Sequence, residues 1–203
     1  VAVDGLEADV VQHAGISQVA SVSSVTMRYF GSDVVTVADK LVDAYVDVFT
    51  APPWGQRDPA ETRSAFRERL EADAQRPGFR AILAFSDTGE VDGFVTGWTT
   101  SAPFRTDRAY SKVTERLGID RVGELLVGAF EIDELGVRSR ARGTGLGRRL
   151  LSNLTATAPG ARAWLLTWHQ AHDTLAFYRR IGWREPEPRP GKETDIVVFL
   201  SPD

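Results

Sequence analysis

The sequence contains no cysteine, which excludes a disulfide framework, a thiolate metal site and a cysteine nucleophile together. It also has no apolar run long enough to span a bilayer as a helix. Histidine is scarce, and His169 and His172 have no third ligand at metal-site spacing, so no metal is expected. No Gly-x-Ser-x-Gly elbow of a serine hydrolase occurs. Lysine is limited to Lys40, Lys112 and Lys192, and the formal net charge is −4. Such a chain lacks the broad basic face that nucleic-acid binding uses. It retains room for a local basic patch, and for an acidic cleft that would attract a cationic substrate. No Lys or Arg precedes Arg28, so the charged n-region of a secretory signal is missing. The cytoplasm is therefore the expected location, with no membrane partner.

What is present fits one domain with a real core: 203 residues, 42% hydrophobic and 26% charged. Residues 1–26 stand apart as an N-terminal extension without an assigned role, and 27–203 form the domain. The second half of Val19–Phe30 reads as a strand. Thr36 with Asp39 has the form of a helix cap, and Val37, Leu41, Tyr45 and Val48 follow at helical spacing. Pro52-Pro53-Trp54-Gly55 stops that helix, and Asp58-Pro59 with Glu61 opens another. Phe79–Phe85 and Val91–Thr99 flank a hairpin turn. A long connection follows, with a short helix from Arg108 to Leu117, and connections of that length are often lids or binding loops. Leu125–Val137 reads as a strand, Gly145–Ala158 as a helix, Ala163–Trp168 as a strand, Asp173–Arg180 as a helix and Ile196–Leu200 as a last strand. Hairpins mixed with crossover helices imply an α/β fold with a mixed, twisted sheet of about six to seven strands and helices on both faces.

The segment that carries chemistry is Arg142-Gly143-Thr144-Gly145-Leu146-Gly147-Arg148, where a strand ends and a helix begins. Free N–H groups of a first helical turn, the helix dipole and nearby arginines together make a phosphate site. A dinucleotide fingerprint fails because Arg148 stands where a glycine is needed, and Gly191-Lys192-Glu193 does not complete a P-loop. The run does match [RQ]-x-x-G-x-[GA], and Tyr178-x-x-x-Gly182-Trp183 follows it. In both features the sequence resembles the GNAT N-acetyltransferase superfamily.

That resemblance implies a GNAT-type fold and acetyl-CoA as co-substrate. Backbone N–H groups from Arg142 to Gly147 would hold its pyrophosphate, with Arg140, Arg142 and Arg148 pairing phosphate oxygens. Leu135, Gly136 and Val137 would meet the pantetheine as an added strand, and a backbone N–H near Val137 would stabilise the oxyanion. It also implies Glu131 as general base, Asp133 as second choice, and Tyr178 as the acid that protonates the leaving thiolate. Strand alternation places Asp133 on the face of Glu131 and Glu134 on the other. Ala171 stands where the family often carries an asparagine that contacts pantetheine. Trp54 and Asp58 border the expected acceptor cleft. The acceptor is expected to be a primary amine of a small molecule or protein, cationic in view of the acidic strand end, and a homodimer is an open arrangement. Residues 50–60 and 99–124, where acceptor choice would reside, match no known pattern. A non-catalytic acyl-CoA sensor or interaction module is the alternative, and a phosphate-binding protein of another fold is a second.

Overall fold

The computed structural model describes residues 25–52, 54 and 57–202. Six strands form one sheet in sequence order: β1 (Thr26–Phe30), β2 (Arg80–Phe85), β3 (Val91–Thr99), β4 (Phe130–Val137), β5 (Ala163–Trp168) and β6 (Ile196–Leu200). Neighbours are antiparallel except β4 and β5, which run parallel. A parallel pair needs a crossover, and α5 (Leu146–Thr155) supplies it. Helices α1 (Ala38–Phe49) and α2 (Pro59–Asp73) cover one face, while α5 and α6 (His172–Arg180) cover the other. Helices α3 (Tyr110–Leu117) and α4 (Ile119–Leu125) pack beside Trp164, Ile196 and Val198 at the β5–β6 end. The mixed sheet with helices on both faces is the expected architecture. The expected extension lies outside the described residues as far as Ser24, and Thr26 already pairs with Phe85.

Local chemistry explains most boundaries. Asp58 accepts a hydrogen bond from Glu61 N at 2.8 Å, with Pro59 at the first helical position, a cap worth about 1 kcal/mol. The cap expected at Thr36 does not form. Ser32–Val37 winds as a 3-10 turn, Thr36 donates its hydroxyl to Asp33 O, and α1 starts behind it without a side-chain cap. Leu125–Val137 is likewise not one strand. Leu125 ends α4, and β4 begins at Phe130. Val122 and Leu126, four apart, bury against Val113 and Leu117, and an apolar run alone does not separate a short buried helix from a strand.

Two irregularities in β4 shape the site. Residues Gly93 to Thr96 pair with Val137 to Glu134, but Gly97 then opposes Ile132, so Asp133 is the extra residue of a bulge. A Cβ on Gly97 would sit 2.1 Å from the Glu131 carbonyl oxygen and 2.5 Å from the Phe130 ring, so this position requires glycine. On its other side β4 pairs with β5 only from Phe130↔Ala163 to Ile132↔Leu165. Beyond that point the strands separate and a wedge opens between them. Gly136 has a packing role of its own: a Cβ there would lie 2.5 Å from the Phe94 ring. Phe94 in turn sits 6.2 Å from the Tyr45 ring and 6.5 Å from that of Phe49, both on α1.

Gly97→Ala should destabilise the fold by about 1–3 kcal/mol, because a backbone carbonyl must move. A denaturant midpoint within error of the parent would show that the bulge accommodates a side chain.

Candidate active site

The wedge is the floor of a cleft of about 1220 Å³. Of the site residues expected from the sequence, those assigned to catalysis and all of Leu135–Val137 and Arg142–Arg148 but Thr144 line it, while Arg140 and Asp58 do not; the Thr144 hydroxyl turns back to the Ala141 carbonyl at 2.8 Å.

At one end the chain builds an anion cradle. Gly143 and Gly145 take φ values of +77° and +79°, the left-handed region that glycine enters without strain. Arg149 N closes the first helical bond onto Gly145 O. The N–H groups of Leu146, Gly147 and Arg148 thus lack helical partners, and all three residues line the cleft. Arg142 and Arg148 are exposed there, and Arg142 Nε donates to Val137 O at 3.1 Å. Arg140 is committed elsewhere, donating to Asp92 at 2.6 Å, so the structure does not bear out its expected phosphate role. Next to the cradle, the β5-facing backbone of Asp133 to Val137 has no strand partner among the described residues. A phosphate grip beside an open strand edge suits a diphosphate carrying an extended amide arm, so these residues fit acyl-CoA. Ala171 is buried and does not line the cleft.

At the other end lie the acids. Glu131 is paired in register with Trp98 on β3 and Trp164 on β5, so tryptophans flank its side chain. It is 5% exposed. Burial, reinforced by Asp133, pushes its carboxyl up to about 8. Its one hydrogen bond among the described residues is from Tyr110, whose hydroxyl donates to Oε1 at 2.6 Å. Strand alternation fails here because of the bulge. Ile132 and Leu135 both pack toward α5, so Asp133 and Glu134 both fall on the face of Glu131. Each of the neighbouring acids has an arginine. Arg69 pairs with Glu134 and hydrogen-bonds Tyr45 at 3.2 Å. Arg108 spans Asp73 at 3.0 Å and Asp133 at 3.5 Å, and Arg76 donates to Asp73 at 2.6 Å. Burial raises the proton affinity of Asp133 and Glu134, and these arginines oppose it.

Tyr178 rests on Trp183 and Phe199 at ring distances of 5.9 and 5.3 Å. Burial lifts its phenol above the ordinary range, and no hydrogen bond holds the hydroxyl among the described residues. Trp54 lines the cleft 5.4 Å from the Phe49 ring, whereas Asp58 serves the α2 cap and does not line it. Among the described residues no group of His, Asp or Glu has the geometry to hold a metal, and no helix is long and apolar enough to cross a membrane.

Tyr110, Arg108, Arg69 and Asp73 were not singled out by the sequence. The long connection before β4 signalled that function lay nearby, but only tertiary contact shows which of its residues turn inward.

Comparison with known proteins identifies the domain and the fold. The family model for the acetyltransferase (GNAT) domain matches residues 79–185, more than half of the chain. An acetyltransferase of Thermus thermophilus superposes with a TM-score of 0.58 at 15% identity, covering 88% of this chain and 97% of that one. The PaiA N-acetyltransferase of Thermoplasma acidophilum, solved with coenzyme A, gives 0.58 at 12% identity over 87% and 98%. A GNAT acetyltransferase of Staphylococcus aureus gives 0.59 at 12% identity over 87% and 98%. At such identities the superpositions speak for the fold, and no curated protein matches the sequence. Domain match, shared fold and the cradle of Arg142–Gly147 lead to one conclusion: the chain belongs to the GNAT acetyltransferase family, whose enzymes transfer an acetyl group from acetyl-CoA.

Proposed function

We propose that this enzyme acetylates a primary amine by direct attack on acetyl-CoA, with Glu131 as general base and Tyr178 as general acid. The observation that carries the reading is the contrast among the cleft acids. Among the described residues Glu131 alone of these acids lacks an arginine salt bridge, so its proton affinity is set chiefly by burial and suits proton exchange near neutrality. Glu134 is raised by burial to a similar level, but its carboxylate is engaged by Arg69, whereas Glu131 is left to take the proton of an incoming amine.

Each residue then has a defined task. Glu131 accepts a proton from the incoming ammonium, and Tyr110 holds the carboxyl in place. The freed nitrogen lone pair bonds to the acetyl carbonyl carbon while the carbon–sulfur bond breaks. A backbone N–H near Val137 supports the developing oxyanion, Tyr178 gives its phenolic proton to the departing sulfur, and the extra proton left on the acylated nitrogen passes through solvent to the tyrosinate and restores the phenol. Leu146 to Arg148 and the open edge of β4 fix the co-substrate, and proximity supplies much of the rate. With no cysteine in the chain, attack without an acyl-enzyme is the simpler course. Asp133, bound by Arg108, is assigned a supporting electrostatic role.

Calorimetric titration should detect acetyl-CoA binding, and Gly145→Glu should abolish it by placing a carboxylate at the cradle. A folded parent that fails to bind would overturn the assignment. The rate should climb about tenfold per pH unit below pH 8 and level off above it, since only ionised Glu131 accepts the proton. Glu131→Gln should lower kcat/KM by about 10²-fold or more and remove that limb. An unchanged pH profile in the variant would exclude Glu131 as the base. Tyr178→Phe should reduce kcat by about 10²-fold with acetyl-CoA affinity kept. Indifference to both substitutions would favour the non-catalytic acyl-CoA sensor.

A further inference from the structure

The acidic strand end suggests a cationic acceptor until the pairing of each charge is followed. Asp73, Asp133 and Glu134 are already matched by Arg69, Arg76 and Arg108. Beyond Glu131, a polycation would meet no free carboxylate in this cluster. The unpaired charge at this end of the cleft is of the opposite sign. Arg57 lines the cleft just ahead of the α2 cap, is exposed, and makes no ion pair or hydrogen bond among the described residues. Its field reaches Tyr45 and Glu134, so it looks onto the acidic cluster from the α1–α2 side. The same cleft carries an aromatic wall on the α1–α2 side, formed by Tyr45, Phe49 and Trp54.

A buried acid, a guanidinium without a partner among the described residues and an aromatic wall in one cleft form a bipolar receptor. We propose that the acceptor is a primary amine carrying a carboxylate on an apolar skeleton, with Arg57 gripping the carboxylate while the amine faces Glu131. This rests on the acyl-transfer reading above and specifies its substrate class. A guanidinium offers a carboxylate two parallel N–H donors, and the rings exclude water from the pair once the acceptor is seated.

The test is steady-state acetylation by the full chain, read as CoA release, with acceptors matched except for the carboxylate. Suitable pairs are L-phenylalanine with phenethylamine and 5-aminopentanoate with butylamine, with spermidine as the polycation. We expect a carboxylated acceptor to exceed its partner by about tenfold or more in kcat/KM, mainly through KM. Arg57→Gln should collapse that ratio toward one, and Arg57→Lys should restore part of it. Plain amines or spermidine used as well as the carboxylated acceptors would overturn the proposal while leaving the acyl-transfer reading intact. A preference that survives Arg57→Gln would do the same. If acetyl-CoA binds but no amine of either kind is acetylated, both readings fall together.

Discussion

The structure depends on the short length over which β4 and β5 remain paired. After three residue pairs the parallel strands separate, and the backbone of β4 loses one set of hydrogen-bond partners. Exposed N–H and C=O groups inside a domain are costly unless something else satisfies them. An incoming extended chain of amides does so. The bulge at Asp133 acts on the same strand from its other side, where Gly97 allows β3 to press against the Glu131 carbonyl. One strand thus carries an open edge, the one proposed for the co-substrate, on its outer half and the acid cluster at its bend. The helix that crosses over to β5 starts at the mouth of the wedge and brings its free N–H groups there.

The acids gathered by the bulge require compensation, and their separate environments give them separate roles. Arg69 and Arg108 come from different elements, the second helix and the loop ahead of the third, and tie both to β4. Such partly buried pairs gain from each other's field but lose solvation, so they fix position more than they stabilise. Glu131 lies between Trp98 and Trp164, where no arginine among the described residues forms a salt bridge with it. Burial between the tryptophans and the field of Asp133 raise the proton affinity of this carboxyl, and the single phenol donor partly offsets them, a setting that suits proton exchange.

Much of this was legible in the sequence because it is local. The phosphate cradle is a matter of glycine spacing at a strand-to-helix junction. The second helix announces itself through Asp58-Pro59, and the six strands through their apolar runs. Features that depend on two elements at once were hidden. The bulge turns Glu134 onto the face of Glu131, against strict alternation, because Gly97 on the neighbouring strand permits it. Arg140, set within a basic stretch, is captured by Asp92 on β3. The fourth helix was masked by a continuous apolar run into β4, since its burial face is completed only by the third.

Gly136 has a consequence for how this enzyme can diversify. Its missing side chain is replaced by the Phe94 ring, which sits beside Tyr45 and Phe49 on the first helix. The open edge of β4 and the aromatic wall of the cleft are thus one continuous packing unit. A larger residue at 136 would press that ring toward the wall, and a smaller one at 94 would slacken both. Neither half can drift independently by single substitutions. Change in the proposed acceptor choice is thereby left chiefly to Arg57, which is exposed at the cleft and takes no part in that aromatic packing.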